Sequence, residues 1–327
     1  MPLEDPAPGE IQVRIESVGV CGSDLHAYTE GAVGSMPNVY PMLLGHEPAG
    51  MIVKVGPGVT GLAPGDRGAL EPALYCYHCE FCLSGHHNVC ANIRFLSNPT
   101  HPGFFREFIN LPAVNFKPIP ANLSCDEAAL AEPLAIAVHS LRLASIREGE
   151  TVAVFGAGPI GLMTVAALRA AKVARIWIVE PVAHRRELAL GIGAHAAFDP
   201  NEAVEGVLRD TAQRGVDCTI DCAAADETTN QAVLLARNAG RVALTGIHSI
   251  PYVPLDGSAM RRKELTIFNV RRSNHETDEA LELLHTHPGW FAPVLTHTRL
   301  LDGIDEAFEI ASQYRDGVGK MTIHPGN

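Results

Sequence analysis

Four cysteines fall within fifteen positions of this 327-residue chain, at Cys76, Cys79, Cys82 and Cys90. Four soft ligands in one short segment suit a closed tetrahedral zinc site, which leaves no coordination position open for a substrate. The spacing therefore predicts a structural zinc ion. An iron–sulfur cluster is a minor alternative, because it uses the same type of ligand.

The surroundings of these cysteines narrow the interpretation. Residues 76–90 contain neither Lys nor Arg, which argues against a nucleic-acid-binding zinc finger. Eight cysteines in the whole chain are too few for a disulfide scaffold, so their clustering indicates metal binding in a reducing compartment. His78, His86 and His87 are not needed as ligands, and we expect them to be exposed loop residues.

A second potential metal site combines Cys21 with the adjacent pair His46 and Glu47. All three residue types bind zinc, and a mixed set is more typical of catalytic than of structural sites. Taken singly, Cys21 is more often a small buried apolar residue, and His46 is more often a hydrogen-bonded core histidine. Neither alternative explains why both segments carry ligand types, so we favour a catalytic zinc.

The glycine motif GAGPIG at 156–161 follows the apolar run TVAVF and precedes a helical pattern. Gly156 would permit a tight turn, Gly158 would let backbone amides approach a pyrophosphate, and Gly161 would allow close helix–strand packing. The next apolar run ends at Glu180, where an acidic side chain would accept hydrogen bonds from the adenosine ribose. Together these features predict a dinucleotide site. A glycine-rich turn in an ordinary α/β sheet is the alternative.

The length of the chain favours two domains, and the patterns in the rest of the sequence predict two domains that position the metal ligands and the glycine motif. From residue 11 to about 120, short β-type runs alternate with turn signals, which indicates an irregular β-rich domain. From residue 151, apolar strands alternate with helical stretches at 159–171, 182–190, 202–213 and 227–237, which predicts a doubly wound parallel sheet. Helices near 277–285 and 302–314 and a strand at 320–324 should pack back on the β-rich part.

Charge and composition exclude several classes of partner. The formal net charge of −12 should repel nucleic acid and anionic membrane surfaces. The longest apolar run, 152–168, is broken by glycines and proline and is too short to span a membrane. The first ten residues lack the basic start and apolar run of a secretory signal. We therefore expect a soluble, cytoplasmic protein with no nucleic-acid or membrane partner.

The segment GHE at 45–47, with Gly50, Gly56 and Val59, resembles the zinc signature of the medium-chain alcohol dehydrogenases. The cysteine segment and the glycine motif also follow in that family's order, and the resemblance covers almost the whole chain. Within the family, EPLA at 132–135 with His139, and Arg271 before Asn274, resemble the sorbitol and xylitol (polyol) dehydrogenase branch. The resemblance implies a β-rich GroES-like catalytic domain (1–135 and 271–327) and a Rossmann nucleotide-binding domain (136–270).

The resemblance also assigns roles to individual residues. It implies that Cys21, His46 and Glu47 hold the catalytic zinc, with Glu132 near the fourth position as a direct or water-mediated ligand. Asp24 would fix the His46 ring from behind, and Ser23 and His26 would carry the alcohol proton outward. Arg271 would contact the substrate. The residues expected to contact the dinucleotide are Gly156, Gly158, Pro159, Ile160, Gly161, Glu180, Arg185 and Thr245.

The implied protein is an enzyme that transfers a hydride between a secondary alcohol, a polyol in this branch, and NAD. It would hold two zinc ions per chain and form a homo-oligomer, either a dimer or a tetramer. Threonine or 2,3-butanediol dehydrogenase of the same family, and a catalytically silent dinucleotide-binding protein, are the alternatives. The sequence departs from this family in two places. Relatives have about two more strands before the first one here, so either the start lies elsewhere or another edge protects the barrel. Arg272 stands where polyol dehydrogenases commonly have a Tyr.

Overall fold

The computed structural model describes residues 4–225, 227–250 and 252–326. Short strands with helices between them fill the first part of the chain. Their bounds are β1 (Glu10–Gly19), α1 (Gly22–Glu30), β2 (Ala32–Val33), β3 (Met36–Pro37), β4 (Glu47–Val55), β5 (Arg67–Leu70), β6 (Ala73–Leu74), α2 (Glu80–Leu83), β7 (Arg94–Phe95), β8 (Phe108–Pro112), β9 (Phe116–Pro118), α3 (Cys125–Ala129) and α4 (Ala131–Leu143).

Regular β-α units follow. Their bounds are β10 (Thr151–Phe155), α5 (Pro159–Ala170), β11 (Arg175–Val179), α6 (Ala183–Ile192), β12 (Ala196–Phe198), α7 (Pro200–Asp210), β13 (Val216–Asp221), α8 (Thr228–Leu235), β14 (Ala236–Leu244), α9 (Gly257–Lys263) and β15 (Thr266–Asn269). The last part of the chain contains α10 (Thr277–Thr286), α11 (Pro288–Phe291), β16 (Leu295–Leu300), α12 (Ile304–Ser312) and β17 (Lys320–His324).

The β-rich part is built on one sheet with the order β16-β17-β1-β4-β5-β9, and β8 also pairs with β1. Ile11, Val13, Ile15 and Val18 of β1 are buried in its core. β17 pairs with β1 through the partners Val18–Ile323 and Gly19–Thr322. The last strand of the chain therefore lies directly beside the segment that leads to Cys21.

The second sheet is parallel throughout, with the order β12-β11-β10-β13-β14-β15. Successive residues of β10 enter different cores: Val152 and Val154 pack against α4 and α5, whereas Ala153 and Phe155 pack toward α7 and α8. Helices therefore cover both faces, and the order is that of a doubly wound sheet, whose ligands bind where the strand order reverses. The predicted fold class is confirmed.

Several element limits differ from the sequence-based expectation. The helix predicted at 227–237 ends at Leu235, because the chain has already entered β14 at Ala236. The helix predicted at 302–314 spans only Ile304–Ser312. The sequence patterns also missed α1 and α9. The limits 1–135, 136–270 and 271–327 stay a prediction, and α4 runs without a break across the first of them.

Among the described residues, no helix combines the length and apolarity needed to cross a membrane.

Candidate active site

Helix α1 begins directly after Cys21 and brings three of the predicted site residues to one cleft. Asp24, at the third position of the helix, accepts a hydrogen bond from the Cys21 amide at 3.1 Å, which caps the helix. Its other oxygen accepts the Gly45 amide at 3.1 Å and lies 3.4 Å from His46 Nδ1. Burial alone raises the pKa of Asp24, but the facing His46 and these two amides hold it below its usual value. Asp24 thus fixes both Cys21 and His46.

The side chains of Cys21, His46 and Glu47 converge, with their ligand atoms all within 4.8 Å of one another. His46 and Glu47 are buried at 6% and 1% exposure, and Glu47 Oε1 lacks a hydrogen-bond partner among the described residues. A half-buried thiol with a buried imidazole and a buried carboxylate, all facing one point, suits zinc. Glu132 lies outside this group of three but lines the same cleft.

Glu132 sits in the first turn of α4 and is aimed into the cleft. Its Oε2 is buried without a hydrogen-bond partner in the described part of the chain. Burial raises the pKa of Glu132 to about 7; His46 opposes this rise, whereas nearby Glu47 adds to it. A carboxylate in this setting can take up or release a proton near neutral pH.

Lys320 is a site residue that the sequence reasoning missed. It comes from β17, is 1% exposed, and forms an ion pair with Glu47. Its ammonium also donates to the Val20 carbonyl at 2.9 Å. Gly19 makes room for the pair, because a Cβ there would lie 2.0 Å from the Glu47 carboxylate.

The cysteine segment has the geometry of a closed tetrahedral site. The sulfur–sulfur distances are 3.9 Å for Cys76–Cys82, 3.9 Å for Cys79–Cys90 and 3.5 Å for Cys76–Cys90. Zinc–sulfur bonds of about 2.3 Å imply sulfur pairs about 3.8 Å apart. Amides of Cys79 and Asn92 donate to these sulfurs at 3.4 Å, which favours thiolates. The four side chains therefore fit zinc.

Asn274 joins the cysteine segment to the chain that leaves the parallel sheet. Its side chain accepts the His87 amide at 3.0 Å and donates to the Gly85 carbonyl at 2.8 Å. Asn88 donates to the Arg271 carbonyl at 2.9 Å. The cysteine segment therefore fixes the position of the segment that carries Arg271.

The expectation for the three loop histidines was wrong for one of them. His78 and His86 are exposed, but His87 is half-buried, and its ring contacts Tyr75, Tyr77 and His275. His275 comes from the far end of the chain and shields it.

The glycine turn forms the floor of the other half of the cleft. Gly156 has a φ of +87°, which favours glycine, and a Cβ on Gly161 would lie 1.9 Å from the Gly156 carbonyl oxygen. Pro159 begins α5 with Gly158 as its N-cap, and Ile160 follows; all three line the cleft. Glu180 accepts the amides of Ala157 at 2.6 Å and Val182 at 2.9 Å, so its carboxylate is fixed beside the turn.

The remaining predicted residues also reach this cleft of about 1000 Å³. The Arg185 guanidinium lies 4.2 Å from the centre of the Tyr314 ring. Thr245 Oγ1 is 3.1 Å from Ser140 Oγ. Ser23 Oγ is 3.4 Å from His46 Nε2, and His26 Nδ1 is 2.6 Å from Glu30 on the same helix. Arg271 is exposed along the rim.

Comparison with known proteins decides the family. The Alcohol dehydrogenase GroES-like domain matches residues 7–121, and the Zinc-binding dehydrogenase domain matches residues 159–286. Sorbitol dehydrogenase of Bacillus subtilis is 32% identical over 327 residues, covering 99% of this chain and 93% of that protein. The chain belongs to the zinc-dependent medium-chain alcohol dehydrogenase family. The sequence-based recognition is thereby confirmed.

Solved structures agree with this assignment. A zinc-binding dehydrogenase from Sinorhizobium meliloti 1021 bound to NADP has a TM-score of 0.91 and 29% identity, covering 99% of this chain and 94% of the other. The 2R,3R-butanediol dehydrogenase from Bacillus subtilis has a TM-score of 0.88 and 26% identity, with coverage of 100% and 95%. This chain is therefore a zinc-dependent alcohol dehydrogenase.

We expect two zinc ions per chain of this dehydrogenase, and we expect them to leave at different rates. Four thiolates close one site, whereas the other is open and mixed. Lys320 also leaves Glu47 paired when the catalytic ion departs, so the fold should survive that loss. Timed treatment with a mild chelator, followed by metal analysis, activity and circular dichroism, should show activity lost before secondary structure. One zinc per chain, or loss of both ions together with unfolding, would contradict the two-site assignment.

Proposed function

We propose that this chain oxidises a secondary hydroxyl of a polyol, or reduces the matching ketone, with NAD as the hydride acceptor. One observation carries the proposal: the group of Cys21, His46 and Glu47 opens into the same cleft as the glycine turn at 156–161. A substrate carbon beside the metal group can therefore face the nicotinamide. The similarity to sorbitol dehydrogenase supports a polyol, and the similarity to butanediol dehydrogenase keeps a vicinal diol as the second candidate.

The chain's own residues would prepare the hydroxyl for hydride loss. When bound, zinc lowers the pKa of a coordinated hydroxyl. Ser23 Oγ, beside His46 Nε2, is placed to accept the hydroxyl proton. His26, on the same helix and half-exposed, would release it to solvent, with Glu30 holding its Nδ1.

A substrate panel tests this proposal. Zinc-loaded enzyme is assayed by nicotinamide absorbance with hexitols, pentitols, 2,3-butanediol and threonine, each with NAD and NADP. Highest kcat/KM on a polyol is the expected result. Preference for butanediol or threonine would replace the substrate class, and no turnover of any alcohol would favour a silent dinucleotide-binding protein.

Glu180 should favour NAD over NADP, because its carboxylate is fixed beside the glycine turn and we expect it to face the adenosine 2′-hydroxyl. A 2′-phosphate there would meet a like charge and lose about 1–3 kcal/mol at an intermediate dielectric. The Arg185 guanidinium stacks on the Tyr314 ring, and this arrangement fits stacking on adenine better than binding of a 2′-phosphate. We expect wild-type enzyme to prefer NAD and Glu180→Ala to lose at least tenfold of that preference in kcat/KM. A wild type that prefers NADP, or an unchanged ratio in the variant, would contradict this role.

We also propose a homo-oligomer, a dimer or tetramer, because β15 ends the parallel sheet and its outer edge pairs with no other strand among the described residues. Such an edge is a template for pairing with a second copy.

The free cysteines throughout the chain support a reducing, cytoplasmic compartment.

A further inference from the structure

Two consecutive arginines follow β15 and line the cleft side by side. Arg271 is exposed, whereas Arg272 is half-buried, with its guanidinium 3.9 Å from the centre of the Phe95 ring. Phe95 in turn contacts the His46 ring, with 5.5 Å between centroids. The Arg272 cation therefore lies one aromatic ring away from a predicted zinc ligand.

The charge of Arg272 is not matched by a hydrogen bond. Its Nη1 is buried and has no partner among the residues that the structure describes. Burial, with help from Arg271, lowers the pKa of Arg272 to about 10, so the group is still a cation at neutral pH. A buried guanidinium nitrogen without a hydrogen-bond partner is costly, and arginine is used where a carboxylate or phosphate binds in its planar fork.

Arg272 is held in place by the backbone around it. Its φ of +55° lies in the left-handed region that residues with a side chain avoid. Asn88 binds the carbonyl of Arg271, and Asn274 is bound to the cysteine segment on the other side. The guanidinium is thus pre-organised beside the cleft, which reduces the entropy lost when it binds a ligand.

The carboxylate that shares this part of the cleft is Glu132. It attracts Arg272, but Glu132 Oε2 and Arg272 Nη1 each lack a hydrogen-bond partner in the described ranges. Glu132 faces the metal group, so the Arg272 guanidinium stays available to bind another anion. Arg271 and Arg272 bring two cations to this part of the cleft, which favours an anion there.

We propose that Arg272 binds an anionic group of the substrate, so that the preferred substrates are secondary alcohols bearing a carboxylate or a phosphate, such as sugar acids or polyol phosphates. This inference rests on the proposed alcohol oxidation and narrows its substrate class. Arg272 would act as a specificity-determining residue and take no part in proton or hydride transfer.

The test compares matched substrates on zinc-loaded enzyme. Hexitols, the corresponding hexonates and hexitol phosphates are assayed with wild type, Arg272→Gln, Arg272→Lys and the control Arg94→Gln. Arg94 is an exposed arginine next to Phe95 that does not line the cleft. We expect wild type to favour one anionic class, and Arg272→Gln to lower kcat/KM for that class by about 10²- to 10³-fold, mainly through KM. Neutral hexitols should change less than about threefold, Arg272→Lys should be intermediate, and Arg94→Gln should match wild type.

Other outcomes identify which idea fails. Equal losses on neutral and anionic substrates would make Arg272 a counter-charge for Glu132 and overturn the proposal. The wild-type enzyme alone can also overturn the proposal, if it prefers neutral hexitols and is not inhibited by inorganic phosphate. The test therefore still works if a variant fails to fold. Either result leaves the proposed alcohol oxidation standing, whereas no turnover of any substrate in the panel would overturn both.

Discussion

Replacing Lys320 with methionine should lower the free energy of unfolding of the zinc-free protein by about 3–5 kcal/mol, because it leaves a buried carboxylate without its cation. Glu47 is 1% exposed and its ion pair with Lys320 is closed off from solvent. The substitution also removes the hydrogen bond to the Val20 carbonyl. Urea unfolding followed by circular dichroism gives the change. Zinc should restore part of the loss, since binding to the folded state stabilises it and zinc is a second partner for Glu47.

The control for this experiment is Lys54→Met. Lys54 also pairs with a carboxylate, that of Asp5 at 2.7 Å, but both side chains are exposed. Water screens such a pair, so its removal should leave the unfolding midpoint almost unchanged. The double variant Glu47→Leu/Lys320→Met should recover much of the stability, because it removes both buried charges. A Lys320→Met protein as stable as wild type would mean that Glu47 is protonated in the folded state.

Two parts of the site that the sequence predicted are local in the chain. The four cysteines lie within one segment, and the glycine turn connects a strand directly to the helix that follows it. In both cases the spacing of residue types limits the geometry, so a short stretch of sequence suffices. Glu180 is also predictable, because the parallel order places the end of β11 beside the end of β10.

The missed contacts join residues that are distant in the chain. Lys320 reaches Glu47 only because β17 pairs with β1, and Gly19 leaves the space that the pair occupies. No periodicity in the sequence encodes that pairing. His87 was wrongly expected to be exposed for the same reason, since His275 packs on it from the end of the parallel sheet.

Local competition explains the wrong helix ends. The pattern favoured helix to residue 237, but Ala236 pairs with Val216 at the start of β14, so the sheet ends the helix early. Helix α1 was missed because its stretch lacks a clear apolar periodicity. It is stabilised by the Asp24 cap at its first turn instead.

Glu132→Gln should lower kcat by about 10²- to 10⁴-fold, the range for a positioned acid–base group, with no change in the Kd for NAD. Glutamine keeps the size of the side chain but removes the charge and the titration of a group whose pKa burial raises to about 7. Glu132 Oε2 faces the metal group and has no hydrogen-bond partner in the described part of the chain, so a change there should act on the chemical step. The dinucleotide contacts lie at the glycine turn, in the other half of the cleft.

The alternative is that Glu132 only stabilises the start of α4, as acids in a first turn often do. Glu127→Gln is the matched control, because Glu127 accepts the Ser124 amide at 2.9 Å in the capping box of α3 and does not line the cleft. That variant should lose a little stability and keep its turnover per folded molecule. Stopped-flow turnover, dinucleotide fluorescence titration and thermal unfolding on both proteins separate the two roles. If Glu132→Gln lowers the melting temperature as Glu127→Gln does and keeps wild-type kcat, Glu132 is a helix cap and the proton must be handled by Ser23 and His26 alone.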